Sequence, residues 1–443
     1  MKNKFLLPLM ILISITSCST SGTSILNYSN SSSLGGASSF MENDSYKRFL
    51  LNNPVKEFNK EETINSATPY VNSLQSLSKD LYSALFDGDN KIFSPISIAT
   101  CFSMLLEGAR ENSKVELESF LHYDDSFNHL SEIQNMLLRN AYNNEETETY
   151  LDICQSFWAD NSFKDTMKKP FIETLTNYYY AEAFNGKLDS DAMHAALANY
   201  INDKTRNFLN VKKDDFKDYG GVLWLLNTIY LKTQWQEQFE KSLNRIDVFT
   251  NLSGSEKQVT FMNNTFPASY YKKENYVISS LPLRYGMSFN ILLPNKDSDY
   301  AGVLKSSGAL DDLHNFQTYS SPIRSDIHFQ VPQFKIQKSI DLKDLLTKMG
   351  INDIFDPDIA NLRDIAELKS YENLYVEKAK HEAGIEIKNE GLEAAAYTIV
   401  AVEKATSVSQ PNTPIDFIVD HPFAYSIVNR DNIPLFTGVV ANL

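Results

Sequence analysis

Cysteine is almost missing from this chain: three residues in 443, one of them within the first twenty. That excludes a disulfide-stapled scaffold. Cys101 and Cys154 stand in apolar surroundings and read as buried thiols, with a single disulfide between them left open. Histidine is also scarce, and its seven copies are scattered singly, so no metal cluster is suggested. His381-Glu382-Ala383-Gly384-Ile385 opens like a zinc motif but lacks the second histidine. Basic blocks are absent too. With 41 Lys and Arg against 56 Asp and Glu, the net charge is -15, which argues against nucleic-acid or heparin-like partners. No Gly-x-Ser-x-Gly elbow and no phosphate-binding glycine loop appears. The expectation is a protein without catalytic residues, metal or cofactor, and not an enzyme.

What the chain does have begins at the N-terminus. Lys2 and Lys4 precede an apolar run over residues 5–15, too short to span a bilayer comfortably and followed by small residues. Such a stretch reads as a processing segment. Ile15-Thr16-Ser17-Cys18 resembles a bacterial lipobox, which implies cleavage after Ser17 and a lipid on Cys18; an ordinary signal peptide is the alternative. Ser19 is not the aspartate that resembles an inner-membrane retention signal, so the resemblance implies an outer-membrane anchor facing the periplasm or the extracellular side. Residues 19–65 are rich in Ser and Asn and poor in aromatics, and bury too little to offset ordering entropy. The expected division is a leader at 1–17, a lipidated Cys18 with a flexible tether to 66, and a folded domain at 67–443.

The chain holds 27 Phe and 23 Tyr, most of them in the folded part, enough for a large aromatic core. Apolar spacing predicts helices over 70–86, 98–108, 110–120, 129–142, 166–180, 191–209 and 342–349. Ser94 before Pro95 suits a helix start, because the hydroxyl can cap and proline tolerates the first turn. Gly350 suits a helix end. Strands are expected over 150–159, 222–232, 278–283 and 287–294. The run 222–232 is continuously apolar except for Asn227, as in a central strand covered on both faces, and a buried Asn there demands a hydrogen-bond partner. Residues 386–405 are ambiguous. At period two Leu392, Ala394, Ala396, Thr398, Val400 and Val402 form one apolar face, yet Ala and Glu favour helix. Loop composition appears at 407–414.

Asn389-Glu390-Gly391-Leu392-Glu393-Ala394-Ala395-Ala396 resembles the hinge of the serpin family, Glu-Glu-Gly-Thr-Glu-Ala-Ala-Ala. Further segments match the family in order: Asn90-Lys91-Ile92-Phe93-Ser94-Pro95-Ile96-Ser97, Gly108-Ala109-Arg110, Leu226-Asn227-Thr228-Ile229-Tyr230-Leu231-Lys232, Gly350-Ile351-Asn352-Asp353 and Asp420-His421-Pro422-Phe423. The resemblance runs from about residue 68 to 443. It implies an α+β fold, helices packed around three β-sheets, with an exposed reactive-centre loop.

The function implied is irreversible suicide-substrate inhibition of serine endopeptidases, and of papain-like cysteine proteases as a further class. In the family the cleaved loop, here about 391–405, enters the central sheet and traps a covalent acyl-enzyme. Family spacing implies a scissile bond at Ala405-Thr406, with Lys404-Ala405 as the alternative. Ala405 would favour elastase-like targets and Lys404 trypsin-like ones. Ser94, Ser97, Asn227 and His381 take the family's shutter positions, and Lys232 and Trp235 its breach. Glu390, Gly391, Leu392, Glu393, Ala394, Ala395 and Ala396 form the hinge. The resemblance implies a monomer held at a membrane by its lipid. One departure is Leu392, where inhibitory members usually carry Thr or Ser; a non-inhibitory binding or structural serpin is therefore the competing reading.

Overall fold

The computed structural model describes residues 7–19, 68–123, 128–140, 142–318, 323–370, 372–392 and 414–443. In chain order its elements are β1 (Leu7–Ser19), α1 (Thr68–Leu85), β2 (Lys91–Phe93), α2 (Pro95–Leu106), α3 (Glu111–Leu121), α4 (His129–Arg139), β3 (Tyr142–Asn144) and β4 (Thr149–Asp160). Then come α5 (Lys169–Tyr178), β5 (Glu182–Gly186), α6 (Asp191–Lys204), β6 (Leu223–Gln234), β7 (Arg245–Thr250), β8 (Glu256–Lys272), β9 (Tyr276–Pro282) and β10 (Ser288–Pro294). The remainder is α7 (Tyr300–Lys305), α8 (Ser307–His314), β11 (Ile323–Pro332), β12 (Phe334–Asp341), α9 (Leu342–Lys348), β13 (Glu372–Lys388), β14 (Gly391–Leu392), β15 (Ile415–Ile418), β16 (Phe423–Val428) and β17 (Pro434–Val440).

Two hydrogen-bonded networks hold these strands. The first sheet runs β12, β13, a shared seat, β6 and β4, with β3 and β5 both beyond β4. The seat is occupied by β14 at one end and by β1 along the rest. The second network runs β15-β11-β8-β9-β10-β16-β17-β2, with β7 on β8. The 17-residue β8 joins what would otherwise be two sheets, pairing with β7 and β11 over most of its length and with β9 only through Tyr270, Tyr271 and Lys272.

The α+β architecture arises from local chemistry. Helix α2 starts where Ser94 Oγ accepts the Ser97 amide at 3.3 Å, with Pro95 in the first turn, and all twelve of its residues are buried. Strand β6 is buried over all but its last residue, because both faces are covered. Leu225, Ile229 and Leu231 join the main core with α2; Trp224 and Leu226 pack with Trp158, Phe184 and Tyr200 beneath α6. Helix α9 ends as its glycine suggested, Gly350 taking φ +95°.

Two expectations are corrected. The helix over 129–142 stops at Arg139, and Tyr142 opens β3 instead. Asn140 ends it: its amide and side chain both bond Met136 O, and Asn429 Nδ2 donates to Asn140 Oδ1 at 2.6 Å. The helix over 191–209 stops at Lys204, since Arg206 and Asn207 adopt left-handed backbone at φ +48° and +60°. The apolar leader, to which the sequence assigned no secondary structure, is a strand: Leu7–Ser19 lies antiparallel to both β6 and β13. An apolar extended segment between two otherwise unpaired strand edges satisfies backbone groups on both sides at once.

Candidate functional site at the centre of the first sheet

Halfway along β6 and β13 the sheet carries a polar row inside an apolar core. Asn227, His381, Ser94 and Ser97, read separately in the sequence, come together here, each fully buried. Ser97 Oγ donates to Asn227 Oδ1, and the Ser94 amide donates to His381 Nε2 at 3.1 Å. The N-terminus of α2 is thus pinned to β6 and β13 on either side of the seat. Because Nε2 accepts, His381 is neutral with its proton on Nδ1. Burial favours that form and pushes its pKa down to about 3.

The row is incompletely satisfied. His381 Nδ1 and Asn227 Nδ2 have no hydrogen-bond partner among the described residues. Both are donors, and both belong to residues flanking the seat. The seat position between them is Ile11 of β1, paired by register with Asn227 on one side and His381 on the other. Unmade buried hydrogen bonds are expensive, so this place in the sheet is chemically suited to an acceptor.

At one end of the seat lies a second cluster. Trp235 is buried, donates Nε1–H to Lys388 O at 2.8 Å, and packs edge-on against Phe239 and Phe289. Lys232 Nζ meets Glu148 Oε2 at 3.0 Å. Here the chain leaves β13 and turns through Asn389 and Glu390 into β14. Glu390 pairs with Lys241, and its carbonyl accepts the Trp235 amide at 3.1 Å. Gly391 pairs with Lys388 and Gln234, Leu392 with Ile387 and Thr233. Gly391 has φ +150°, and a Cβ there would stand 2.3 Å from Thr233 O and 2.6 Å from Gln234 Cα, so only glycine fits. Leu392, the departure from the family pattern, is fully buried between the two strands.

One part of this end left no mark in the sequence. Asn389 is buried and clamped: its Nδ2 donates to Phe239 O (3.1 Å) and Asn244 Oδ1 (2.7 Å), while Gln333 Nε2 donates to its Oδ1 at 2.6 Å. A polar residue two positions before the hinge glycine was the only available hint; nothing marked Asn244 or Gln333. Glu393, Ala394, Ala395, Ala396, Lys404, Ala405 and Thr406 lie outside the described residues. Cys18 is placed only by its register, opposite Asn373 in β1. Cys101 and Cys154 are free thiols, which closes the disulfide alternative; burial pushes Cys154 up to about 12.

The model of the family described as Serpin (serine protease inhibitor) matches residues 72–443. Mouse neuroserpin (Mus musculus) is 29% identical over 380 residues, covering 80% of this chain and 87% of the relative. Human serpin B4 (Homo sapiens) is 26% identical over 377 residues, covering 79% and 93%. Among solved structures, the thermophilic serpin tengpin in its native state superposes with a TM-score of 0.72 at 22% identity, over 90% of this chain and 98% of that one. At that identity the superposition speaks for the fold alone.

Proposed function

The chain belongs to the serpin family, a family of protease inhibitors and not of enzymes, and from that premise we propose that it is an irreversible suicide-substrate inhibitor of serine endopeptidases. A target protease attacks the loop at Ala405-Thr406, or at Lys404-Ala405, and forms an ester with the loop, while the residue beyond the cut becomes a free amine on a C-terminal segment still held in the second sheet. The freed loop, about 391–405, then enters the seat between β6 and β13 and carries the acylated protease with it. Ala405 suits elastase-like enzymes and Lys404 trypsin-like ones, with papain-like cysteine proteases as a further class. In the same reading Cys18 carries a lipid, and the chain is a monomer tethered through residues 18–66 to a bacterial outer membrane.

The observation that carries this reading is the placement of Gly391 and Leu392. The first two residues of the loop are already hydrogen-bonded into the seat on both sides, so further insertion propagates an existing strand instead of nucleating one. Leu392 has completed its own entry, so its bulk need not slow the residues behind it. Running both ladders on from these pairs brings position 398 level with Asn227 and with His381. Residue 398 is a threonine, whose hydroxyl is an acceptor for the two donors left unpaired there. The shutter residues Ser94, Ser97, Asn227 and His381 therefore act as the latch of the seat, and Trp235 and Lys232 hold its entrance.

A denaturing gel tests the proposal. The purified, leader-free protein mixed with elastase-like or trypsin-like protease gives a covalent band at the summed mass of the partners. Clean loop cleavage with no such band from any of the three protease classes would support the competing reading, a non-inhibitory serpin that binds a partner and is cut as a substrate.

A further inference from the structure

The seat that the proposed mechanism reserves for the loop already contains a strand, and that strand is the leader. β1 runs antiparallel to both neighbours, as β14 does, and on the same track. Leu392 pairs with Thr233; Leu7 pairs with Leu231. Only the level of Lys232 separates the end of β14 from the start of β1. From there β1 continues to Ile15 opposite Leu223, and on the β13 side to Ser19 opposite Glu372. One strand excludes another from the same hydrogen-bonding positions, so loop and leader cannot be seated together.

We propose that the leader strand is an intramolecular plug, which keeps the unprocessed chain from trapping proteases until cleavage after Ser17 removes it. This inference rests on the loop-insertion reading above. The proposed cut falls inside β1 and would take away residues 7–17, eleven of its thirteen, leaving too little strand to hold the seat. Processing and arming then become one event. The plug is also the weaker of two occupants. At the level of Asn227 and His381 it offers Ile11, which has no acceptor for the two unpaired donors. Once gone, it is replaced by the loop and does not return.

The test uses Cys18→Ala, which blocks lipid processing and retains the leader, against the processed chain, both in mild detergent. With the plug seated, the loop-intact Cys18→Ala protein melts more than about 10 °C above the processed protein, forms no covalent protease band, and gains no heat resistance when its loop is cut. Adding Ile11→Pro removes a ladder donor and breaks the strand, so the melting temperature falls towards that of the processed chain and the covalent band returns. Equal melting temperatures and equal complex formation for the retained and processed chains would overturn the plug. If neither chain forms a complex yet their melting temperatures still differ and Ile11→Pro abolishes the difference, the plug stands and the inhibitory reading fails.

Discussion

The two sheets are built from the same materials to opposite ends. In the second, β10 lies between β9 and β16, which its chain neighbours and the C-terminal segment supply permanently. All seven residues of β10 and of β17 are buried, and Asn290, the polar residue at the centre of β10, is satisfied by Ser280, Ser288 and Leu313 O. In the first sheet, β6 is as deeply buried, but the strand between it and β13 comes from a segment more than two hundred residues earlier in the chain. Its central polar row keeps two unpaired donors. The contrast lies in the central polar residues: Asn290 has its partners, whereas Asn227 and His381 each keep one donor unpaired, facing the seat. In the proposed mechanism the second sheet is the anvil, and the first holds the free energy that insertion would release.

The largest break in that symmetry should come from the loop. In the leader-free protein, cutting near Ala405 should raise the melting temperature by tens of degrees, as a full strand fills the seat. Leu392→Arg places an unpaired charge where Leu392 is now fully buried, between Ile387 and Thr233. The expected outcome on the gel is complete turnover, with cleaved inhibitor and free protease replacing the covalent band. Retained complex formation by this variant would count against insertion through the seat.

Titration sharpens the same contrast by a smaller amount. His381 lies in the first sheet, while His314 on α8 is locked to Ser78 Oγ and Thr437 Oγ1 beside the second, and burial depresses both to about 3. Each is neutral when folded and charges near pH 6.5 when unfolded. Each therefore contributes stability fully present above about pH 6.5 and lost as pH falls towards 3, at about 1.4 kcal/mol per pH unit. Between pH 6.5 and 5, above the range of the depressed Asp87, Asp89, Asp364 and Asp420, chemical denaturation should show this slope. His314→Gln and His381→Gln should each remove about one histidine's share. Only His381→Gln should also change how much the protein gains when its loop is cut.

Legibility in the sequence divided along the same line. Local chemistry was readable: the Ser94 cap, the Gly350 end, the continuous burial of 223–232 and the need of Asn227 for a partner all emerge from neighbours in the chain. Partnership was not. Ser94 and His381 are 287 positions apart, and no periodicity states that they meet. Asn389, Gln333 and Asn244 are ordinary polar residues until three distant turns converge on them. The leader was readable as an apolar processing segment, but nothing in its composition said that it would pair between β6 and β13. Family resemblance supplied the shutter positions that propensity could not; it did not supply the unpaired donors, which depend on knowing what lies between the strands.

The smallest effect is the most specific. Thr398→Val keeps the shape of the side chain and removes only its oxygen. If position 398 comes to rest between Asn227 and His381, the cut form loses an acceptor for two buried donors and about 1 kcal/mol or more of stability, while the intact form is unchanged. Thr398→Ser should behave as the parent. A ratio of melting temperatures, cut against intact, isolates this term from any effect on folding. An equal change in both forms would mean that the loop enters in another register, and a register slipped by one residue would turn Tyr397 or Ile399 towards the polar row instead. The second sheet offers the control: Ser280 and Ser288 already satisfy Asn290, so Ser280→Ala should shift cut and intact proteins alike.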